Sequence, residues 1–444
     1  MEQTKSWKDE RILGFPIVLF VGMAVIMFIL GRMDLVLTNM IGALGYALIV
    51  GTMIGWVGDK IPVWSTWFGG GMVLTSLVAS AMNQYGLIGP EVLDGIKTFN
   101  SKTGFLNLYV LVLITGSVLS IDRNLLVKSF AGYLPTIAGG IFFALLFCGA
   151  VGAVTGVGFV NAIADFGLPI MGGGNGAGIS PMSKMWAAAK GLGEDAASTW
   201  WASAFATISL GNIIAIFASS WLNKLGERFP KLTGNGQLMR SAALNGVKQG
   251  ESLDSVKIGP GDYACGFALG LFCFCIATFY SKNISIINHL DNGVNIHEFA
   301  FMVILVAILN ISNVLPVEVR AGARGIQMFF VKYMSFAFMI TTGVGSKLSD
   351  FMKVFASPAN LLCVCVTIVG AMVGTWLIGN IFGLFPVESM LTAGLCMANG
   401  GGAGDIMCLG AAKRMDMIPY AQLSTRIGGA LTLIVASVFF GKFL

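Results

Sequence analysis

Two charged side chains stand inside apolar sequence near the end of this 444-residue chain, each beside glycine-rich backbone. Arg426 lies in Ser424-Thr425-Arg426-Ile427-Gly428-Gly429, and Asp405 directly follows Gly400-Gly401-Gly402-Ala403-Gly404. An ionised group at membrane depth is costly, so it marks a pathway or a partner. A guanidinium can grip a carboxylate through two parallel hydrogen bonds. It can also snorkel to the headgroups and do no chemistry. Asp405 could bind Na⁺ together with backbone carbonyls, carry a proton, or pair with Arg426. Asn175 and Asn399 offer neutral oxygens that suit Na⁺ and amide N–H groups that suit a carboxylate. Equally, they could satisfy interrupted backbone. Ser180 and Ser183 could add hydroxyls or simply pack.

These residues sit on a feature that occurs twice. Gly172-Gly173-Gly174-Asn175-Gly176 and the run at 400–404 both follow a Gly-Leu step, Gly167-Leu168 and Gly394-Leu395. Both lead into small-residue stretches ending Ala188-Ala189-Lys190 and Ala411-Ala412-Lys413. Glycine runs make poor continuous helix. Broken backbone at membrane depth is tolerated only where it is buried or lines a cavity. Paired breaks in two halves of a chain point to a transporter's binding site. Close helix packing also uses glycine, but it does not require two runs at the same place in each half. Free N–H groups at the helix starts beyond the runs would form an anion site.

The elements that must hold these residues are membrane spans. The chain is 56% hydrophobic and 11% charged, with mean hydropathy +0.81, whereas a soluble domain is about a quarter charged. A net charge of +5 gives no ground for nucleic-acid binding. Apolar runs predict eleven spans at 12–31, 38–57, 64–83, 104–121, 130–156, 199–222, 263–281, 296–315, 324–346, 359–382 and 422–443. The first is read as a span and not as a cleaved signal peptide. The interrupted stretches 160–190 and 387–414 are predicted as re-entrant hairpins. The basic residues between spans favour a cytoplasmic N-terminus. The halves also align at Leu113-Ile114-Thr115-Gly116 and Met339-Ile340-Thr341-Thr342, with an offset of 225 to 228 residues that the glycine runs share. Five spans separate equivalent points, so the repeats are expected to be inverted. The expected organisation is an N-terminal segment with an extra span (1–34), a first repeat (35–222), a cytoplasmic linker (223–262) and a second repeat (263–444). Glu318 and Glu388 are expected at the membrane interfaces. The eight cysteines read as small buried hydrophobes, and His289 and His297 as partnerless loop residues.

Taken together, Leu168-Pro169-Ile170-Met171 into GGGNGAG at 172–178, Thr392 through Asn399, Gly401 through Asp405, and Ala421 through Gly429 resemble the 2-hydroxycarboxylate transporter family. The resemblance covers essentially the whole chain. It implies an all-α polytopic protein of a bacterial cytoplasmic membrane, with eleven spans and two hairpins. It also implies a homodimer whose transport domains move like elevators, with Na⁺ as coupling ion and no other cofactor. The implied substrate contacts are Asn175, Gly176, Gly401, Gly402, Ser424 and Arg426. The implied Na⁺ site is Met171, Gly173, Asn175, Cys396, Asn399 and Asp405.

The chain departs from the citrate-symporter pattern at two positions. Gly400 stands where those members resemble arginine, and Ala403 where they resemble serine. Losing a guanidinium removes a partner for one carboxylate and favours malate over citrate. Losing a hydroxyl weakens the case for Na⁺, whereas the retained Asp405, asparagine in exchangers, strengthens it. The leading expectation is Na⁺-coupled symport of a 2-hydroxycarboxylate. Proton symport and exchange are the alternatives. An enzyme would need a nucleophile, base or metal set that the chain does not offer, and a sensor would need an output domain.

Overall fold

A computed structural model describes residues 10–62, 65, 70–121, 132–174, 178–240, 253, 256–283 and 297–444. Apart from one short antiparallel pairing of Arg11–Ile12 with Phe15–Pro16, the described elements are helical. They are α1 (Ile17–Arg32), α2 (Met40–Lys60), α3 (Gly70–Gln84), α4 (Pro90–Asn100), α5 (Phe105–Leu119), α6 (Tyr133–Thr155), α7 (Phe159–Met171), α8 (Ser180–Ala189) and α9 (Glu194–Arg228). The chain continues through α10 (Pro260–Asn283), α11 (Glu298–Ser312), α12 (Val317–Gly343), α13 (Leu348–Ala356), α14 (Pro358–Ile381), α15 (386–395), α16 (Gly402–Ala411) and α17 (Met415–Phe443).

Seven helices among the described residues are long and apolar enough to cross a membrane, or eight if α12 and α13 are joined. The chain is therefore a multi-pass α-helical membrane protein. Several of the eleven expected spans correspond to helices below spanning length, including α1 and α11, with 16 and 15 residues.

The chain divides into two compact units. The first comprises 1–109, 194–202 and 329–352, and the second 110–193, 203–328 and 353–444. In the first unit α2 packs on α3 and on the C-terminal half of α12. Gly51 and Gly55 let the Phe336 backbone and ring approach closely. In the second unit α6 and α14 pack along their length through facing glycines. A methyl group at Gly370 would lie 2.6 Å from the Phe143 carbonyl oxygen, and one at Gly374 would meet the Gly139 carbonyl. This is the small-xxx-small device by which membrane helices gain dispersion contact without a hydrophobic driving force.

Both glycine runs interrupt helix as the sequence predicts. α7 ends at Met171 and α8 begins at Ser180; α15 ends at 395 and α16 begins at Gly402. The leg before each break carries a π-helical turn, Ile163–Gly167 and Met390–Leu395, and a third, Ser424–Gly428, contains Arg426. Such turns insert a residue into the helical phase and re-aim the side chains beyond it.

Two expectations are corrected. Glu388 is not interfacial but fully buried. Its Oε1 accepts from the Thr233 hydroxyl at 2.6 Å, its Oε2 accepts from Gly234 N–H at 2.9 Å, and Arg414 Nε lies 3.5 Å from Oε1. The start of the linker folds back to reach it. Phe385 N–H bonds the Leu238 carbonyl at 2.9 Å, and Arg240 Nη2 bonds Asn380 Oδ1 at 2.9 Å. His297 is not partnerless either: its Nδ1 accepts from Phe299 N–H at 3.3 Å and caps α11. His289 lies outside the described residues.

Candidate carboxylate and cation site

The two glycine breaks meet inside the second unit. A methyl group at Gly174 would lie 3.3 Å from the Gly400 carbonyl oxygen and 3.4 Å from Gly401 Cα. Gly173, at φ +73°, presses on the backbone of α17, where a methyl would strike the Thr425 carbonyl and lie 3.0 Å from Gly429 Cα. Gly174 and Gly401 take φ of +119° and +94°, which side chains of L-residues rarely adopt. Glycine is thus required here both for conformation and for the close approach of three backbones.

Asp405, in the first turn of α16, is buried. Its Oδ1 accepts from Asn399 Nδ2 at 3.0 Å, and Asn399 Oδ1 accepts from Gly401 N–H at 2.8 Å. These two bonds fix the orientation of the Asn399 amide. Thr425 Oγ1 lies 3.0 Å from each Asp405 carboxylate oxygen and 3.0 Å from the Cys396 carbonyl. A hydroxyl has one proton to give, so these three acceptors share one donor. The result is a buried knot of oxygens with fewer hydrogens than lone pairs, the composition a hard cation prefers.

Arg426 lies one residue beyond Thr425, in the same π-helical turn. It lines a cavity of about 50 Å³ with Ile114, Ser117, Gly172, Gly173 and Thr425. Its Nη1 donates to Ser120 Oγ at 2.6 Å, and its positive charge also acts on Asp405. A guanidinium beside two glycine-walled backbones can present its fork to a carboxylate, with Asp405 and its oxygens behind.

Of the expected substrate residues, the structure puts Arg426 on this cavity. Gly401 lies against Gly174 behind it. Gly402 opens α16. The Ser424 hydroxyl is bonded in the packing of α17 on α6. Ser424 is buried, with its Oγ 2.6 Å from Tyr133 Oη and donating to the Tyr420 carbonyl at 3.1 Å. Its neighbour Thr425 takes the lining position. Of the expected cation ligands, Asp405 and the Cys396 carbonyl converge on Thr425, and Asn399 joins them through its bond to Asp405. Gly173 lines the cavity, and the Met171 carbonyl accepts from the Thr432 hydroxyl at 2.9 Å. Asn175 and Gly176 lie outside the described residues.

Sequence reasoning missed Thr425, Ser120 and Asn212, whose Oδ1 accepts from Gly400 N–H at 3.5 Å. The signal for Thr425 was a hydroxyl adjoining an intramembrane arginine. For Asn212 it was an amide in an otherwise apolar span. Ser120 sat at a predicted span end and carried no signal.

The profile of the 2-hydroxycarboxylate transporter family matches residues 12–438. The citrate/sodium symporter of Klebsiella pneumoniae is 36% identical over 98% of this chain and 95% of its own length. That of Salmonella typhimurium is 35% identical over 97% and 94%. The malate transporter MleP of Lactococcus lactis is 30% identical over 98% of both chains. The chain belongs to the 2-hydroxycarboxylate transporter family and is a transporter, not an enzyme.

Proposed function

We propose that this protein is a Na⁺-coupled symporter of a 2-hydroxycarboxylate, with malate preferred to citrate, in a bacterial cytoplasmic membrane. The observation that carries the reading is the adjacency of Thr425 and Arg426 on one π-helical turn. The first joins the oxygen knot around Asp405, and the second lines the glycine-walled cavity. A cation in the knot and a carboxylate on the guanidinium would lie close together in a medium of low dielectric constant. Each would then favour the other's binding, which is the thermodynamic content of symport. The names of the Klebsiella and Salmonella relatives support Na⁺ as the cation. Gly400 lacks the side chain that would meet a third carboxylate, and leaving one unpaired in a desolvated site is costly.

The two interrupted helices and their common offset support an inverted repeat of eleven spans with two re-entrant hairpins. In that frame Asn175, Gly176, Gly401 and Gly402 complete the substrate site, and Met171, Gly173 and Asn175 complete the Na⁺ site. Elevator movement of a homodimer is the corresponding mechanism. The test is uptake of labelled malate and citrate into proteoliposomes with and without an inward Na⁺ gradient. Malate accumulation that requires Na⁺ supports the reading. Uptake that ignores Na⁺ and follows a pH gradient, or needs internal carboxylate, assigns the protein to proton symport or exchange.

A further inference from the structure

We propose that the apolar cavity between α5, α6, α11 and α17 seats one acyl chain of a bilayer phospholipid, packed against the back of the candidate carboxylate cavity. The proposal is independent of which carboxylate or cation is carried. The apolar cavity has a volume of about 250 Å³ and lies inside the second unit. Ile121, Ile137, Ile304, Ile427, Leu431 and Ile434 are among its walls. Val118, Val303 and Ala430 line both this cavity and the one that Arg426 lines.

The lining chemistry rules out a polar occupant. Among the described residues that line it, only Tyr133 and Asn310 carry polar side-chain atoms. The Tyr133 hydroxyl lies 2.6 Å from Ser424 Oγ and 3.2 Å from the Tyr420 carbonyl. Asn310 Nδ2 donates to the Val118 carbonyl at 2.9 Å and the Ile121 carbonyl at 3.2 Å. No side-chain donor is left over for a carboxylate. The Asn310 oxygen accepts no hydrogen bond among the described residues. It is a single acceptor, however, and a buried water needs roughly two to four polar partners.

An apolar occupant remains, and the surroundings supply one. Ile304 and Ile308, one turn apart on α11, line the cavity and are also exposed. In a multi-pass protein, exposed isoleucines within an apolar helix face hydrocarbon, so the cavity is continuous with the bilayer interior. An acyl chain gains no hydrophobic free energy by entering, because lipid tails are as apolar as leucine. Its gain is dispersion: the walls of an empty cavity lack partner atoms on one side, and a chain restores them. An apolar cavity of about 150 Å³ already suffices to bind benzene. Recognition is therefore by shape, whatever the headgroup. With Val118, Val303 and Ala430 between them, the chain lies one layer of side chains from the carboxylate cavity.

The experiment uses the full-length protein in vesicles of phosphatidylethanolamine and phosphatidylglycerol, with a trace of a phosphatidylcholine whose acyl chain carries a mid-chain diazirine. After illumination, adducts are mapped on peptides by mass spectrometry. They are expected at Ile427 and Leu431, which line the cavity, and at Val435 and Val438, which are exposed on the same helix. Ala307→Phe places a ring in the cavity from α11. It is expected to lower the Ile427 and Leu431 adducts at least about tenfold and to leave those at Val435 and Val438 within about twofold. Leu134→Phe fills the same space from α6 and is expected to act in the same way, so a folding defect in one variant does not decide the result. Labelling of Val435 and Val438 without Ile427 and Leu431 overturns the proposal, since protein then covers the cavity, whether a second copy of the chain or other residues of this one. Adducts at Ile427 and Leu431 that persist in both variants overturn it as well, because the chain then reaches α17 by another route.

Discussion

Ser424 and Thr425 are neighbours in the chain, yet they belong to different chemistry. Ser424 bonds Tyr133 in the packing of α17 on α6, and Thr425 shares its proton among Asp405 and Cys396 oxygens. The sequence marks Asp405, Asn399 and Arg426 because each is polar in an apolar run, and the cost of burial makes such residues conspicuous. It does not distinguish Ser424 from Thr425, because a π-helical turn shifts the helical phase there and no composition signal reports that shift. Two predictions belong to this scale. Asp405→Asn removes the charge from the oxygen knot and leaves Arg426 in place. It is expected to raise the Na⁺ concentration for half-maximal uptake at least about tenfold while changing substrate KM much less. Uptake as a function of external Na⁺ at fixed pH measures this, and an equal loss in both quantities would mean that Asp405 serves the substrate. Gly400→Arg is open at Cβ, since among the described residues a methyl at Gly400 meets nothing nearer than 4.0 Å. A guanidinium there is expected to shift the malate-to-citrate preference toward citrate by about tenfold or more. Competition of unlabelled citrate against labelled malate reads the shift.

At the scale of the element, the glycine runs were legible because glycine is the one residue whose absence of side chain is visible in sequence. Why glycine is needed became clear only in three dimensions: positive φ at Gly174 and Gly401, and backbone contact at Gly173 with α17. Glu388 illustrates the opposite case. A carboxylate near the start of an apolar run reads as interfacial, because its partners are far away in sequence. Arg414 lies at the other end of the second interrupted helix, and Thr233 belongs to the linker. Glu388 and Arg414 thus tie together the two ends of that element, and the Thr233-Gly234-Asn235-Gly236 turn closes over the pair. A buried ion pair is strongly destabilising when one partner is removed. Glu388→Gln is therefore expected to cost about 3 kcal/mol and to lower the unfolding temperature in detergent. Added malate and Na⁺ are expected to stabilise variant and parent equally, since neither ion-pair residue lines the cavity. An unfolding temperature equal to the parent's would show that the turn alone holds the linker.

At the scale of the whole molecule, hydropathy identified a polytopic helical protein without ambiguity, but span counting reached its limit at helices such as α1 and α11. Their 16 and 15 residues fall below the length a bilayer asks for. Orientation is a separate inference, resting on the distribution of lysine and arginine and on the odd number of spans between the two interrupted helices. It makes a demand that neither hydropathy nor family membership makes: the open ends of the two interrupted helices should face opposite sides of the membrane. Leu192, just beyond α8, and Met415, just beyond α16, are both exposed. With the eight native cysteines removed, a cysteine at each position tests the demand. Leu192→Cys is expected to react with a membrane-impermeant maleimide added outside intact cells. Met415→Cys is expected to react only after the membrane is opened. An even number of spans between the two helices would put both cysteines on one face, and the repeats would then be parallel. Labelling of both from outside, or of both only after opening, would exclude the inverted arrangement. Alternating access would then need a movement other than exchange between two inverted halves, because the pseudo-symmetry that relates inward-open to outward-open states would be missing.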